Sequence, residues 1–394
     1  MNRETWITGV GILSCLGEGP GAHWQALTDG KINFDTAGYP PYIIHPLPPM
    51  SFDAQIPKKG DQRQMEPWQR IGVYAAGLAL DSAGVKGKGD ILGRMDMIVA
   101  AGGGERDLAV DGALLSGLPK AGAKGGEHDR FLNERLMSDL RPTLFLAQLS
   151  NLLAGNISIV HGVTGSSRTF MGEESAGVDA VRIALARIAA GQSDITLVGG
   201  AQNSERKEML MLYEFGSFAL KGAFHPVWDR VAQPGFGLGS MGAFLVLEAS
   251  EHARARGAKP LARLAAVVNA RSNRKPGAVT ATLAELWKTL PAVRPDCAVI
   301  SGASGASPAT AEERTFLAAH AELAVRATGS RMGHGVEPQF AMNIALAAMA
   351  VERRALFPPC DPSERAAAGA PTQAVVTGVG HWRGEGLALV EAVE

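Results

Sequence analysis

A chain of 394 residues with 46% hydrophobic content can bury a large core, and its length suggests two domain-sized halves. Its formal net charge of −1 gives no field that would make nucleic acid or an anionic membrane surface the main partner. Three cysteines, Cys15, Cys297 and Cys360, stand far apart without CxxC or Cys/His spacing, which argues against a disulfide framework and a zinc site and for a reducing compartment. The start MNRETWITGVG lacks a charged segment followed by an apolar one, and no window reaches about eighteen uninterrupted apolar residues, so no membrane span and a cytoplasmic location are expected. No metal or other cofactor is expected.

Residues 6–17, WITGVGILSCLG, predict a short apolar strand broken by Gly9 and Gly11, followed by a helix around His23 to Leu27. A phosphate-binding loop would need GxGxxG or GxxxxGKS/T at the strand end, and neither is present. The Pro-rich stretch 36–64 predicts an extended ordered loop ahead of a helix from Pro67 to Ala83. Met95 to Ala101 predicts a second buried strand, with Gly102, Gly103 and Gly104 as a surface turn. Asp111 to Asp129, rich in Gly, Lys and Ala, predicts a mobile loop. RPTLFLAQLSNLLAG then predicts a helix beginning after Pro142, with Leu144, Leu149, Leu152 and Leu153 apolar, and ending at Gly155.

The stretch Asn156 to Gly200 organises the rest. It predicts a strand at Ile157 to Val160, then a Gly/Ser-rich turn, then a helix with Val178, Val181, Leu185 and Ile188 on one face. A strand from Ile195 to Val198, stopped by Gly199 and Gly200, completes it. Glu173 and Glu174 open the helix, where the positive end of the helix dipole favours acids. Beyond it come a helical stretch from Glu205 to Phe218, a strand from Ala243 to Glu248 and, in the second half, a strand from Ala298 to Ile300. Alternating strands and helices throughout predict an α/β fold.

Several of these segments together resemble the β-ketoacyl-acyl-carrier-protein synthases, condensing enzymes of the thiolase superfamily. The most specific match runs from Asp229-Arg230 through Gly235-Phe236-Gly237-Leu238-Gly239 and the strand ending at Glu248 to the charged segment through Arg256-Gly257-Ala258. The resemblance implies a duplicated thiolase fold of five αβαβα layers, with halves at 1–250 and 251–394. In that family a strand delivers a Cys to the N-terminus of a buried helix, and counting from Gly165 or back from Asp194 places that position at Glu174. The family's H-G-T-x-T histidine falls on Ser301, and its K-S-x-x-G-H is matched by Gly329 to His334, keeping His334. A family Glu nine residues on becomes Asn343, and the G-F-G-G-x-N turn is replaced by Gly380-His381-Trp382-Arg383-Gly384-Glu385-Gly386.

A carboxylate at the nucleophile position would give a labile mixed anhydride rather than a stable thioester. The resemblance therefore implies a ketosynthase-like subunit of the chain-length-factor type. Such a chain is the non-condensing partner of a Cys-containing ketosynthase paralogue, forming a heterodimer that works with acyl carrier protein. QIPKKGDQRQMEPWQR and AAGGGERD further resemble the second ketosynthase-like protein of the alphaproteobacterial operon for the very-long-chain fatty acid of lipid A. Lys58, Lys59, Arg63 and Arg70 are candidates to meet an acidic carrier protein, and Glu174 is expected to bond groups such as Arg168 or His334. The competing readings are a malonyl-carrier-protein decarboxylase using Glu174 and His334, and a homodimeric acyl-binding scaffold.

Overall fold

The computed structural model describes residues 3–118, 126–140, 144 and 148–393. Its strands, in chain order, are β1 (Thr5–Ser14), β2 (Gly17–Glu18), β3 (Ile44–His45), β4 (Asp96–Ala100), β5 (Ser167–Phe170), β6 (Ile195–Gln202), β7 (Leu238–Gly239), β8 (Met241–Ala249), β9 (Ala262–Ala270), β10 (Ala298–Ser301), β11 (Ala324–Ala327), β12 (Gln373–Val379) and β13 (Glu385–Glu391).

Two sets of five strands repeat one pattern. The first half runs β5-β4-β6-β8-β1 and the second β11-β10-β12-β13-β9. In each set the first three neighbours pair in parallel and the last two pairings are antiparallel. Numbered from the start of its own half, each set reads third, second, fourth, fifth, first. The two sets join where β1 pairs with β9, Trp6 opposite Arg263 and Ile7 opposite Ala262.

Helices then make the layers. The Pro67–Ser82 helix covers β1, β6 and β8 on one outside face, and the Ala278–Thr289 helix covers β9 and β13 on the other. Between the sheets lie the Glu173–Ala189 and Gln339–Arg353 helices, each touching strands of both halves. The result is a helix, sheet, helix, sheet, helix stack. Such a middle helix must be apolar nearly all round, and Gln339–Arg353 is buried from Gln339 through Val351. Val178, Val181 and Ile188 of its neighbour join the same central core, each worth about 1.5–3 kcal/mol relative to exposure.

Several local expectations change. Ile157 to Val160 is not a strand but part of a helix, Leu152–His161. Leu153, Ile157 and His161 recur at four-residue spacing and are buried on one face, so β-branched content misled where periodicity decides. This helix passes through Gly155 and stops at Gly162, which takes φ +75°. The strand before the central helix is β5 instead. The expected helix after Pro142 falls partly outside the described residues, Phe145 among them; Leu149 lies before the helix start and is half-exposed.

Gly199 and Gly200 do not stop β6 but lie inside it. A Cβ at Gly199 would lie 2.0 Å from the Ala243 carbonyl oxygen, and one at Gly200 2.4 Å from that of Ala100, so close packing selects glycine there. Part of the expected loop is helical, Leu108–Gly117 and Glu127–Asp139, while 119–125 lie outside the described residues. The Pro-rich stretch contains β3 and ends in a short helix, Lys59–Gln64.

Candidate functional site

The Glu173–Ala189 helix begins under strain. Gly172 has φ +134°, and Glu173 has φ +56°, a region that costs a non-glycine residue of order 1–3 kcal/mol. This turn directs Glu174 inward, where it is 4% exposed. Gly177, one turn on, lets the segment carrying Glu337 approach, because a Cβ there would stand 2.3 Å from the Glu337 carbonyl oxygen.

Glu174 is held by two imidazoles. His334 Nε2–H donates to Glu174 Oε1 at 2.7 Å, and His381 Nδ1–H donates to the same oxygen at 2.8 Å and to Oε2 at 3.1 Å. The His381 backbone N–H adds a bond of 3.2 Å. An ionised carboxylate only accepts, which fixes both ring nitrogens as the protonated ones. Burial by itself would raise the Glu174 pKa, but the charge and hydrogen bonds of His381 and His334 hold it well below the usual carboxylate range. Burial pulls the His381 pKa down, and Glu174, with Glu173 and Glu337 behind it, outweighs this and raises it.

The surroundings fix both rings. The His334 backbone is clamped to β7, its N–H on the Gly237 carbonyl and its carbonyl accepting from the Gly239 N–H, each at 2.9 Å. Phe236 packs 5.0 Å from the His334 ring and 5.3 Å from that of His381. Phe218 and Tyr213 meet His381 edge-on at 4.7 and 5.4 Å.

Ser301 takes no part in this cluster. It ends β10, fully buried, and its hydroxyl donates to Glu313 Oε1 at 2.7 Å. Asn343 bonds the Ser301 carbonyl at 3.3 Å and accepts from Thr328 Oγ1 at 2.7 Å, so the two positions form a polar network of the second half. Arg168 does not meet Glu174 either; it lies exposed on β5. His381 takes that place, from the turn that stands where the family has G-F-G-G-x-N. Its signal was legible: a titratable ring inside a turn that frames the site. Tyr213 and Glu337 were also passed over, and Glu337 follows His334 by three residues.

A cleft of about 1020 Å³ opens beside the cluster, with His381, Tyr213, Glu337 and Glu173 on its walls and Gly102, Gly103 and Gly104 along one side. These glycines therefore line the cleft rather than a plain surface turn. Arg206 anchors them, donating to the Gly103 and Gly104 carbonyls at 3.0 and 2.8 Å. Glu337 is 6% exposed. Burial, then the charges of Glu174 and Glu173, raise its pKa to about 7. Cys15, Cys297 and Cys360 are buried elsewhere, and burial pushes each thiol up to about 12. Among the described residues, no group of three or more His, Cys, Asp or Glu could hold a metal ion, and no helix is long and apolar enough to cross a membrane.

The family model "Beta-ketoacyl synthase, N-terminal domain" matches residues 2–253. The chain belongs to the β-ketoacyl synthase family. It is 26% identical over 271 residues to 3-oxoacyl-[acyl-carrier-protein] synthase 2 of Vibrio cholerae, a match covering 65% of this chain and 60% of that relative. The chain thus spans about three fifths of the length of such relatives. Among solved structures, the ishigamide ketosynthase/chain length factor superposes with a TM-score of 0.80 at 19% identity, over the whole of both chains. A type II polyketide acyl-carrier protein in complex with its ketosynthase gives 0.72 at 17%, again over both whole chains.

Proposed function

We propose that this chain is the non-condensing, chain-length-factor-type subunit of a fatty-acid elongation system. It pairs with a Cys-bearing ketosynthase paralogue in the cytoplasm and works on acyl chains presented by an acyl carrier protein. The observation that carries this reading is Glu174, a buried carboxylate tied to His334 and His381 where the resemblance puts the thiol nucleophile. A carboxylate so bonded is charged, with three donors on its Oε1, which suits a structural plug better than covalent acyl transfer.

Two further observations support a partner. Among the described residues β5 pairs only with β4 and ends its sheet, an open edge of backbone groups. Ile159 and Met171, near that edge in sequence, are 73% and 64% exposed. Likeness to the ishigamide ketosynthase/chain length factor supports the fold such a role needs, and the very-long-chain assignment rests on the sequence resemblance. The test is reconstitution of the Cys-bearing paralogue with carrier protein and malonyl-carrier protein, with and without this chain. Product lengths should change when it is added. Identical lengths and rates without it would refute the reading, and release of CO₂ from malonyl-carrier protein by this chain alone, lost in Glu174→Ala, would favour the decarboxylase.

A further inference from the structure

The cleft holds an acid–base pair that a structural plug does not need. His381 has its Nδ1–H committed to Glu174, so Nε2 is the nitrogen left for the cleft the ring lines. Nε2 has no hydrogen-bond partner among the described residues, yet it is not one of the sealed, unpartnered atoms. The unused nitrogen of His334, Nδ1, is sealed. Hence only one of the two imidazoles can reach a molecule in the cleft. Glu337 lines the same space, more than nine-tenths buried, with its carboxyl bonded by its own backbone N–H. Its carboxyl lies against Gly102, where a Cβ would come within 2.8 Å of Oε1. The remaining walls include Met209, Leu212, Phe215 and Phe218, which suit an acyl chain.

We propose that His381 and Glu337 form a thiol-independent acid–base centre that enolises a 3-oxoacyl thioester bound in this cleft. His381 Nε2 takes a proton from C2, the C–H electron pair becomes the C2–C3 double bond, and the C3 oxygen takes the proton of Glu337. The enol forms with an imidazolium and a carboxylate; the reverse step restores the ketone, and nothing is oxidised or reduced. A C2 proton flanked by two carbonyls is acidic enough for an imidazole base, which is why this substrate class is favoured over a simple acyl thioester. Glu174 is the positioning residue: it fixes the tautomer that exposes Nε2 and stabilises the imidazolium. The inference rests on the acyl-thioester substrate class of the proposed function but not on the role in chain length.

The groups facing His381 are Glu173 and Glu174 on the central helix, His334 and Glu337 on the segment ahead of Gln339–Arg353, and Tyr213 on the Lys207–Phe215 helix, with Arg206 and Arg383 at the cleft. Acids dominate close to the ring and raise its pKa above the ordinary 6.5. Since the neutral ring is the base and the protonated carboxyl the acid, turnover rises with pH as His381 loses its proton and falls as Glu337, whose pKa is about 7, loses its own.

The test uses the full chain with 3-oxooctanoyl-N-acetylcysteamine thioester in deuterium oxide, following deuterium at C2 by mass spectrometry above the buffer rate. The wild type should give saturable exchange. His381→Gln, checked for an unchanged melting temperature, should lose about a hundredfold, and Glu337→Gln should also slow it. Glu174→Gln should move the pH midpoint down, an effect that loss of packing would not produce. Exchange no faster than buffer, or His381→Gln at the wild-type rate, overturns the proposal whatever the chain-length assay shows.

Discussion

Glu337 shows how a single carboxyl links stability to chemistry. Its folded pKa of about 7 lies above the ordinary 4.5, raised by burial and by Glu174 and Glu173. The fold therefore favours its protonated form. That contribution is fully present below 4.5 and is lost as pH rises through about 7, a difference of roughly 3 kcal/mol by linkage. Glu337→Gln, a neutral mimic, should match the wild type in melting temperature near pH 4.5 and exceed it at pH 8. Equal melting temperatures at pH 8 would show that Glu337 carries no such strain. Glu174 behaves oppositely, since its lowered pKa makes its contribution one that is lost on acidification. At this scale the sequence exposed Glu174 and His334 through register, while His381 required the fold, because 207 residues separate it from Glu174.

Among the elements, the central Glu173–Ala189 helix and the β5 edge do different jobs. The helix is packed from both sheets, so its buried face admits little change: Ala176 is 2% exposed inside the central core. The Leu152–His161 helix instead turns Ile159 outward while burying Ile157. If that outer face with β5 meets the proposed partner, Ile159→Asp should weaken association about tenfold or more. It should alter the stability of the separate chain by no more than about 0.5 kcal/mol. Sedimentation of mixtures with the paralogue checks the first and thermal denaturation the second. Unaltered association would place the interface elsewhere. The mistaken strand at Ile157 to Val160 has the same physical origin as this surface: β-branched residues suit a strand locally, but one apolar face every three to four residues suits a helix once a core is there to receive it.

For the molecule as a whole, the placement of cysteines decides a chemical property. All three are buried away from the cleft with thiols pushed up to about 12. The native chain should therefore resist alkylation at neutral pH and show no acyl adduct by intact mass after incubation with acyl-carrier protein. All three thiols should react once the chain is denatured. A covalent acyl adduct on the native chain would contradict both the burial and the non-condensing reading.

The sequence by itself determined the alternation of strands and helices, the helix from Pro67 to Ala83, the β-ketoacyl synthase likeness and, by counting within that likeness, the proposal that Glu174 stands where the family places its thiol. These are local in the chain: hydrophobic period, glycine turns and residue identity at a counted position. Only the tertiary structure decided that two five-strand sets share one order, that Ser301 faces Glu313 rather than Glu174, and that His381 closes on Glu174 while presenting its other nitrogen to the cleft. Those outcomes depend on which distant segments pack together. Side-chain direction at the end of a strand or in a turn is set by its partners across the core, and a linear pattern does not carry that information.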